Sequence, residues 1–98
     1  MTLIEALNRF RKVYWDNRSV ADTKNNFYCG ITNDLANRNI EHGNSDVLDF
    51  VQVETFDMAI ALESMMHYDG FDTGRHLDHV SEDSTIVYLY KKGSYTEP

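Results

Sequence analysis

The side chains best suited to chemistry are concentrated between residues 28 and 42. Arg38 is permanently cationic, and its forked guanidinium can bind two oxygens of a phosphate. His42 lies one helical turn beyond Arg38 and can relay a proton or orient the phosphate. A tyrosine such as Tyr28 or Tyr88 can activate water only where nearby cations lower the phenol pKa from about 10. Together these groups suit hydrolysis of a phosphodiester bond.

Glu63 is the carboxylate that can complete such a site. Its oxygens can bind one divalent cation, Mg²⁺ or Mn²⁺, while water and phosphate oxygens fill the rest of the octahedral shell. The turn at Gly30, Thr32 and Asn33 offers backbone N–H groups to an anionic substrate. Ordinary structural roles stay open, because Glu63 can form an ion pair at the rim of an apolar helix face, His42 can complement a helix end, and the tyrosines can be packed sheet residues.

The first element that must support these side chains is an N-terminal helix. Thr2 and Glu5 have the spacing of a capping box, and apolar residues at helical intervals predict a helix over residues 3–16. Tyr14 and Trp15 are expected to pack this helix onto a sheet.

The remaining elements alternate between strand and helix. Phe27–Ile31 is predicted to be a strand, followed by a helix that begins at Thr32 or Asn33 and ends at His42. A second strand is predicted over 47–56 and a buried helix over 58–69. A polar connector, 72–84, leads to the most strand-like segment of the chain, 85–90. The order predicts a small α+β domain with a three-stranded sheet flanked by helices.

The stretch from Tyr28 to His42 resembles the second half of the signature of GIY-YIG nucleases. That pattern has a tyrosine, any residue and a glycine, then an Asp-Leu helix start, an arginine and often a histidine. The matching residues are Tyr28, Gly30, Asp34, Leu35, Arg38 and His42. The family also has a glutamate on a later helix, and Ala59–Glu63 is similar to its context. The resemblance implies a metal-dependent endonuclease acting on DNA, with a tyrosine as the base that activates water.

The strand that opens the family's domain is missing before Tyr28. At the C-terminal end, Ile86-Val87-Tyr88 resembles the Gly-Ile-Tyr strand. We therefore expect a circularly permuted domain with a mainly antiparallel sheet, in which the last strand pairs antiparallel with Phe27–Ile31 and places Tyr88 beside Tyr28.

Length and charge limit the functions that this chain can have. Its 98 residues suit one domain over 1–92, with a flexible tail over 93–98. No membrane span or signal peptide is readable, so we expect a cytoplasmic protein. The net charge of −7 predicts weak DNA binding by the chain alone. A catalytically inactive module that binds another protein, or a nuclease that relies on a basic protein partner for DNA affinity, therefore stays open, as does the oligomeric state.

Overall fold

The computed structural model describes residues 1–34, 47–73 and 83–92. The helices and strands in these residues are α1 (Leu3–Asn17), β1 (Phe27–Thr32), β2 (Val47–Gln52), α2 (Phe56–Asp69), β3 (Asp72–Thr73) and β4 (Ile86–Lys91). A short 3₁₀ turn at Lys24–Asn26 leads into β1. The predicted helix that ends at His42 and the predicted tail over 93–98 fall outside the described residues.

The strands form one mixed sheet in the order β2-β4-β1-β3. β4 pairs antiparallel with both β1 and β2, whereas β3 runs parallel to β1. The predicted antiparallel pairing of the last strand with β1 is thus confirmed. The prediction of three strands is wrong, because the described residues form four.

The missed strand, β3, lies in the segment that was expected to be a polar connector. It contains only Asp72 and Thr73, which pair beside Tyr28 and Cys29. Asp72 and Thr73 give no strand pattern in the sequence, because both are polar. Their pairing depends on where α2 ends and not on the burial of apolar side chains. The predicted strand over 47–56 is also too long, because β2 ends at Gln52 and Phe56 already belongs to α2.

Both helices begin, and α2 also ends, at residues that the sequence marks. The Thr2 hydroxyl accepts a hydrogen bond from the Glu5 N–H at 3.1 Å, and the Glu5 carboxylate accepts one from the Thr2 N–H at 3.0 Å. At α2, the Thr55 hydroxyl accepts from the Met58 N–H at 3.1 Å. Gly70 ends that helix at φ 111°, a left-handed conformation that favours glycine.

The hydrophobic core lies between the two helices and one face of the sheet. Because strand side chains alternate, the odd-numbered residues of β1 and β4 point to this face. The buried residues of the core are Ala6, Leu7, Phe10, Tyr14, Phe27, Cys29, Ile31, Val51, Ala59, Leu62, Met66, Phe71, Val87 and Leu89. Both α1 and α2 contribute to this cluster, so they cover the same face.

Trp15 does not pack the first helix onto the sheet as expected. Tyr14 is buried and meets the rings of Phe27 and Phe71 edge-on, but the Trp15 side chain remains 67% exposed. Consecutive residues of a helix point about 100° apart, so the burial of Tyr14 turns Trp15 toward solvent.

Candidate functional site

Three tyrosines form a cluster on the sheet face opposite the two described helices. Tyr28 comes from β1, and Tyr88 and Tyr90 come from β4; all three are buried, with Val47 packed against them. The ring centroids of Tyr28 lie 6.3 Å from Tyr88 and 5.3 Å from Tyr90. The rings of Tyr88 and Tyr90 stack at 6.2 Å with an interplanar angle of 8°. The pairing of β1 with β4 therefore joins tyrosines that are distant in the sequence.

The register places Tyr88 opposite Gly30 and Tyr90 opposite Tyr28. Tyr88 is thus the diagonal neighbour of Tyr28, and its ring lies across the backbone of Gly30. A Cβ atom at Gly30 would lie 2.5 Å from the Cζ atom of Tyr88, and it would overlap the Tyr88 hydroxyl. Gly30, the glycine of the Tyr-x-Gly motif, is therefore needed so that the Tyr88 ring can approach the β1 backbone.

The turn after β1 is held by the Thr32 side chain. Its hydroxyl accepts a hydrogen bond from the Asp34 N–H at 3.0 Å and donates one to the Asp34 carbonyl at 3.1 Å. Thr32 is buried, whereas Asn33 is exposed at the surface of the turn. This turn leads toward the predicted helix, on which Arg38 and His42 lie outside the described residues.

Glu63 lies half-buried on α2, near the centre of β1. Burial, and after it the negative charge of Glu63, raise the pKa of the Cys29 thiol well above its ordinary value. Glu63 is therefore close to the residue that precedes Gly30 in the chain. The tyrosine rings lie on the other face, and the described part of β3 pairs only with Tyr28 and Cys29. The helix that carries Glu63 and the tyrosine rings therefore lie on opposite faces of the sheet.

The donor chemistry of Glu63 fits a hard divalent cation. Mg²⁺ prefers oxygen ligands and keeps several waters, so one protein carboxylate suits it when phosphate oxygens also bind. Within residues 1–34, 47–73 and 83–92, no three His, Cys, Asp or Glu side chains come together. The assignment of an ion to Glu63 therefore rests on the sequence resemblance.

Ion pairs neutralise most of the cations that the structure describes. Six pairs connect Arg9 to Asp49, Arg11 and Lys24 to Asp69, Lys12 to Asp16, Lys91 to Asp22, and Lys92 to Asp72. With a net charge of −7 for the whole chain, few of these cations are available for a phosphate backbone. The described surface therefore offers few unpaired cations.

Tyr90 is the member of the tyrosine cluster that sequence reasoning did not assign. Tyr88 and Tyr90 are two residues apart in a strand, so alternation puts them on one face. That pattern was readable, but the position of Tyr28 beside Tyr90 depends on the register between β1 and β4, which spacing alone does not fix.

Comparison of the sequence with protein-family models and curated proteins, and of the fold with solved structures, gives no match. Among the residues that the structure describes, no helix is long and apolar enough to cross a membrane.

Proposed function

We propose that this protein is a divalent-metal-dependent endonuclease of the GIY-YIG type that hydrolyses phosphodiester bonds in DNA. The proposal is carried by one observation: Tyr28 and Tyr88 meet on one face of the sheet, across Gly30. This is the pair that the sequence resemblance assigns to the reaction. The antiparallel pairing of β1 and β4 also supports a circularly permuted order, in which β4 takes the place of the family's first strand.

Each residue of the proposed site has a separate task. Glu63 holds Mg²⁺ or Mn²⁺, and the bound ion supplies stabilisation of the negative charge that develops on the phosphate. Arg38 clamps phosphate oxygens through its guanidinium, and His42 relays a proton or orients the phosphate. The phenolate oxygen of ionised Tyr28 or Tyr88 takes the proton of the attacking water and becomes the neutral hydroxyl.

Burial of the tyrosines makes the cationic partner essential to this proposal. Tyr28 is 3% exposed and Tyr88 is 1% exposed. A buried phenol resists ionisation, because its charged form loses the stabilisation that water provides. A guanidinium beside the phenol reverses this effect, and Arg38 takes that role. The N–H groups of the turn at Gly30, Thr32 and Asn33 bind the anionic substrate next to it.

A second candidate is a catalytically inactive module that acts through a protein partner. The six ion pairs favour it, because they leave little positive surface for DNA within the described residues. An active nuclease with this surface gains affinity from a basic partner protein. The two candidates differ in whether loss of Glu63 or Arg38 changes any activity.

Cleavage of labelled single-stranded, duplex and branched DNA with Mg²⁺ or Mn²⁺ tests the proposal. Low salt is needed, because an acidic protein binds DNA only weakly when its charges are screened. Glu63→Gln and Arg38→Ala are expected to lose metal-dependent cleavage, while Glu54→Gln, an exposed carboxylate outside the site, retains it. Equal background cleavage in all four proteins would overturn the nuclease and favour the inactive module.

A further inference from the structure

An exposed aromatic surface lies at the C-terminal end of α1. Trp15 is the single tryptophan of the chain, and its side chain is 67% exposed although the Arg18 guanidinium lies 5.0 Å from its ring centroid. The same guanidinium lies 5.7 Å from the ring of Tyr14, which is buried. Val20, two residues after Arg18, is 98% exposed. The guanidinium therefore lies over one face of the indole, and the rest of the ring system is presented to solvent.

Arg18 differs from the other cations that the structure describes. Each described lysine and each other described arginine contacts a carboxylate, whereas Arg18 donates to the Val20 carbonyl at 3.2 Å and stacks on the aromatic rings. Its positive charge is therefore not compensated by an acid within residues 1–34, 47–73 and 83–92.

Several segments of the chain meet at the end of the molecule around Tyr14 and Trp15. Phe27 contacts both the first helix and the last strand. The Tyr14 ring packs edge-on against the Phe27 ring at 5.0 Å, and the Lys91 amine lies 5.9 Å from the Phe27 ring centroid. The Lys92 N–H donates to the Asn26 carbonyl at 2.8 Å, which fixes the end of β4 beside the 3₁₀ turn.

The charges at this end have an excess of cations. The cations are Arg11, Arg18, Lys24, Lys91 and Lys92, and their carboxylate partners are Asp22, Asp69 and Asp72. With Lys12 and its partner Asp16, which follows Trp15 in the chain, these described groups are six cations and four carboxylates, an excess of two.

We propose that the surface formed by Trp15 and Arg18 binds single-stranded nucleic acid, with a base stacked on the exposed indole and a phosphate on the guanidinium. Aromatic side chains beside cations bind single strands in this way, because every base has a face that can stack. A duplex keeps its base faces covered. This surface lies on α1, away from the tyrosine cluster, and the proposal does not depend on nuclease activity.

Other occupants fit the surface less well. A two-fold contact between copies of the chain would place the same patch on both sides. The Arg18 side chains of the two copies would then lie close together and repel each other. An acidic peptide would satisfy the cation but would leave the indole face without a stacking partner. A nucleotide strand supplies both the anion and the flat aromatic group.

Binding of a labelled single-stranded oligodeoxythymidylate, followed by anisotropy at low salt without divalent metal, tests this proposal. Trp15→Leu and Arg18→Ala are each expected to weaken binding about five-fold or more, because stacking contributes about 1 kcal/mol or more per base. Lys12→Ala is the matched control, since it removes one positive charge from the same helix but leaves Trp15 and Arg18 in place. In the wild type, the unlabelled strand should quench the fluorescence of Trp15.

The possible outcomes separate the proposal from simple charge attraction. Full binding by Trp15→Leu, or an equal loss in Arg18→Ala and Lys12→Ala, would overturn it, as would equal affinity for duplex DNA or equal competition by polyglutamate. Binding of oligouridylate as well as the DNA strand supports it, and comparison with oligodeoxyuridylate, which differs from oligouridylate only in the sugar, identifies the preferred sugar. Because no metal is present, failure of the nuclease proposal leaves these results unchanged.

Discussion

The ring of Tyr88 lies across the backbone of Gly30, its antiparallel partner in β1. This contact joins the Tyr-x-Gly motif of residues 28–30 to a strand at the opposite end of the chain. It also connects the proposed site with the centre of the sheet, because both residues lie on the two central strands. The geometry of the site and the stability of the fold therefore depend on the same contact.

Substitution Gly30→Ala is expected to destabilise the protein by about 1–3 kcal/mol, because the new methyl group overlaps the phenol of Tyr88. This cost exceeds the gain of about 0.4–1 kcal/mol that alanine brings by restricting the unfolded chain. Urea unfolding measures the difference. In a Tyr88→Ala background the same substitution should cost much less, since the overlapping ring is absent. An equal cost in both backgrounds would show that the contact is not responsible.

Asp69 joins three parts of the chain through two ion pairs. Its carboxylate accepts hydrogen bonds from Arg11 at 2.8 and 2.9 Å and from Lys24 at 3.0 Å. We expect Asp69→Asn to lower the free energy of unfolding by about 1 kcal/mol at neutral pH and low salt, and by less at high salt. The matched control is Asp16→Asn, which breaks an exposed pair with Lys12 and should cost about 0.3–0.5 kcal/mol.

The stabilisation by Asp69 should depend on pH. Hydrogen bonds from Arg11, and then from Lys24, hold the pKa of the Asp69 carboxyl below its ordinary value, although burial acts in the opposite direction. A lowered folded-state pKa gives stability that is fully present above the ordinary Asp pKa of about 3.9 and is lost as the pH falls through the folded value. The difference between wild type and Asp69→Asn should therefore shrink in acid. A difference that stays constant below that range would contradict this assignment.

The Cys29 thiol is expected to be inert in the folded protein. Burial and the nearby charge of Glu63 raise its pKa, so the reactive thiolate is scarce at neutral pH. Ellman's reagent should react with the native protein only as fast as the chain opens, and at once in denaturing urea. Rapid reaction of the native protein would place Cys29 at an accessible site and would contradict its burial in the core.

Much of the fold can be predicted from the sequence, because local sequence signals agree with the tertiary structure. The capping box of Thr2 and Glu5 gives the start of α1, and the β-branched and aromatic residues of 86–90 indicate β4. The β3 strand cannot be predicted from the sequence. Asp72 and Thr73 pair with β1 because α2 ends next to that strand. Tyr14 and Trp15 are both expected to pack onto the sheet, but consecutive helical residues point about 100° apart, so only Tyr14 is buried.

The candidate site can be predicted from the sequence only in part. The spacing of Tyr28 and Gly30 marks the motif, and the strand pattern around Tyr88 predicts its partner strand. The diagonal position of Tyr88 and the stacking of Tyr90 follow from a register that a shift of one residue would reverse. The closeness of Glu63 to Cys29 depends on how α2 crosses the sheet, which no local pattern specifies.

The most direct test of the proposed site is metal-dependent DNA cleavage by Tyr28→Phe, Tyr88→Phe and Tyr90→Phe. Tyr90 is the matched control, because it is equally buried on the same sheet face but has no assigned part in the reaction. Far-UV circular dichroism and urea unfolding establish that all three variants fold. We expect Tyr28→Phe, Tyr88→Phe or both to lose about 100-fold in cleavage rate, while Tyr90→Phe stays within a few-fold of wild type. Equal rates in all four proteins would contradict a tyrosine-based nuclease site on this sheet.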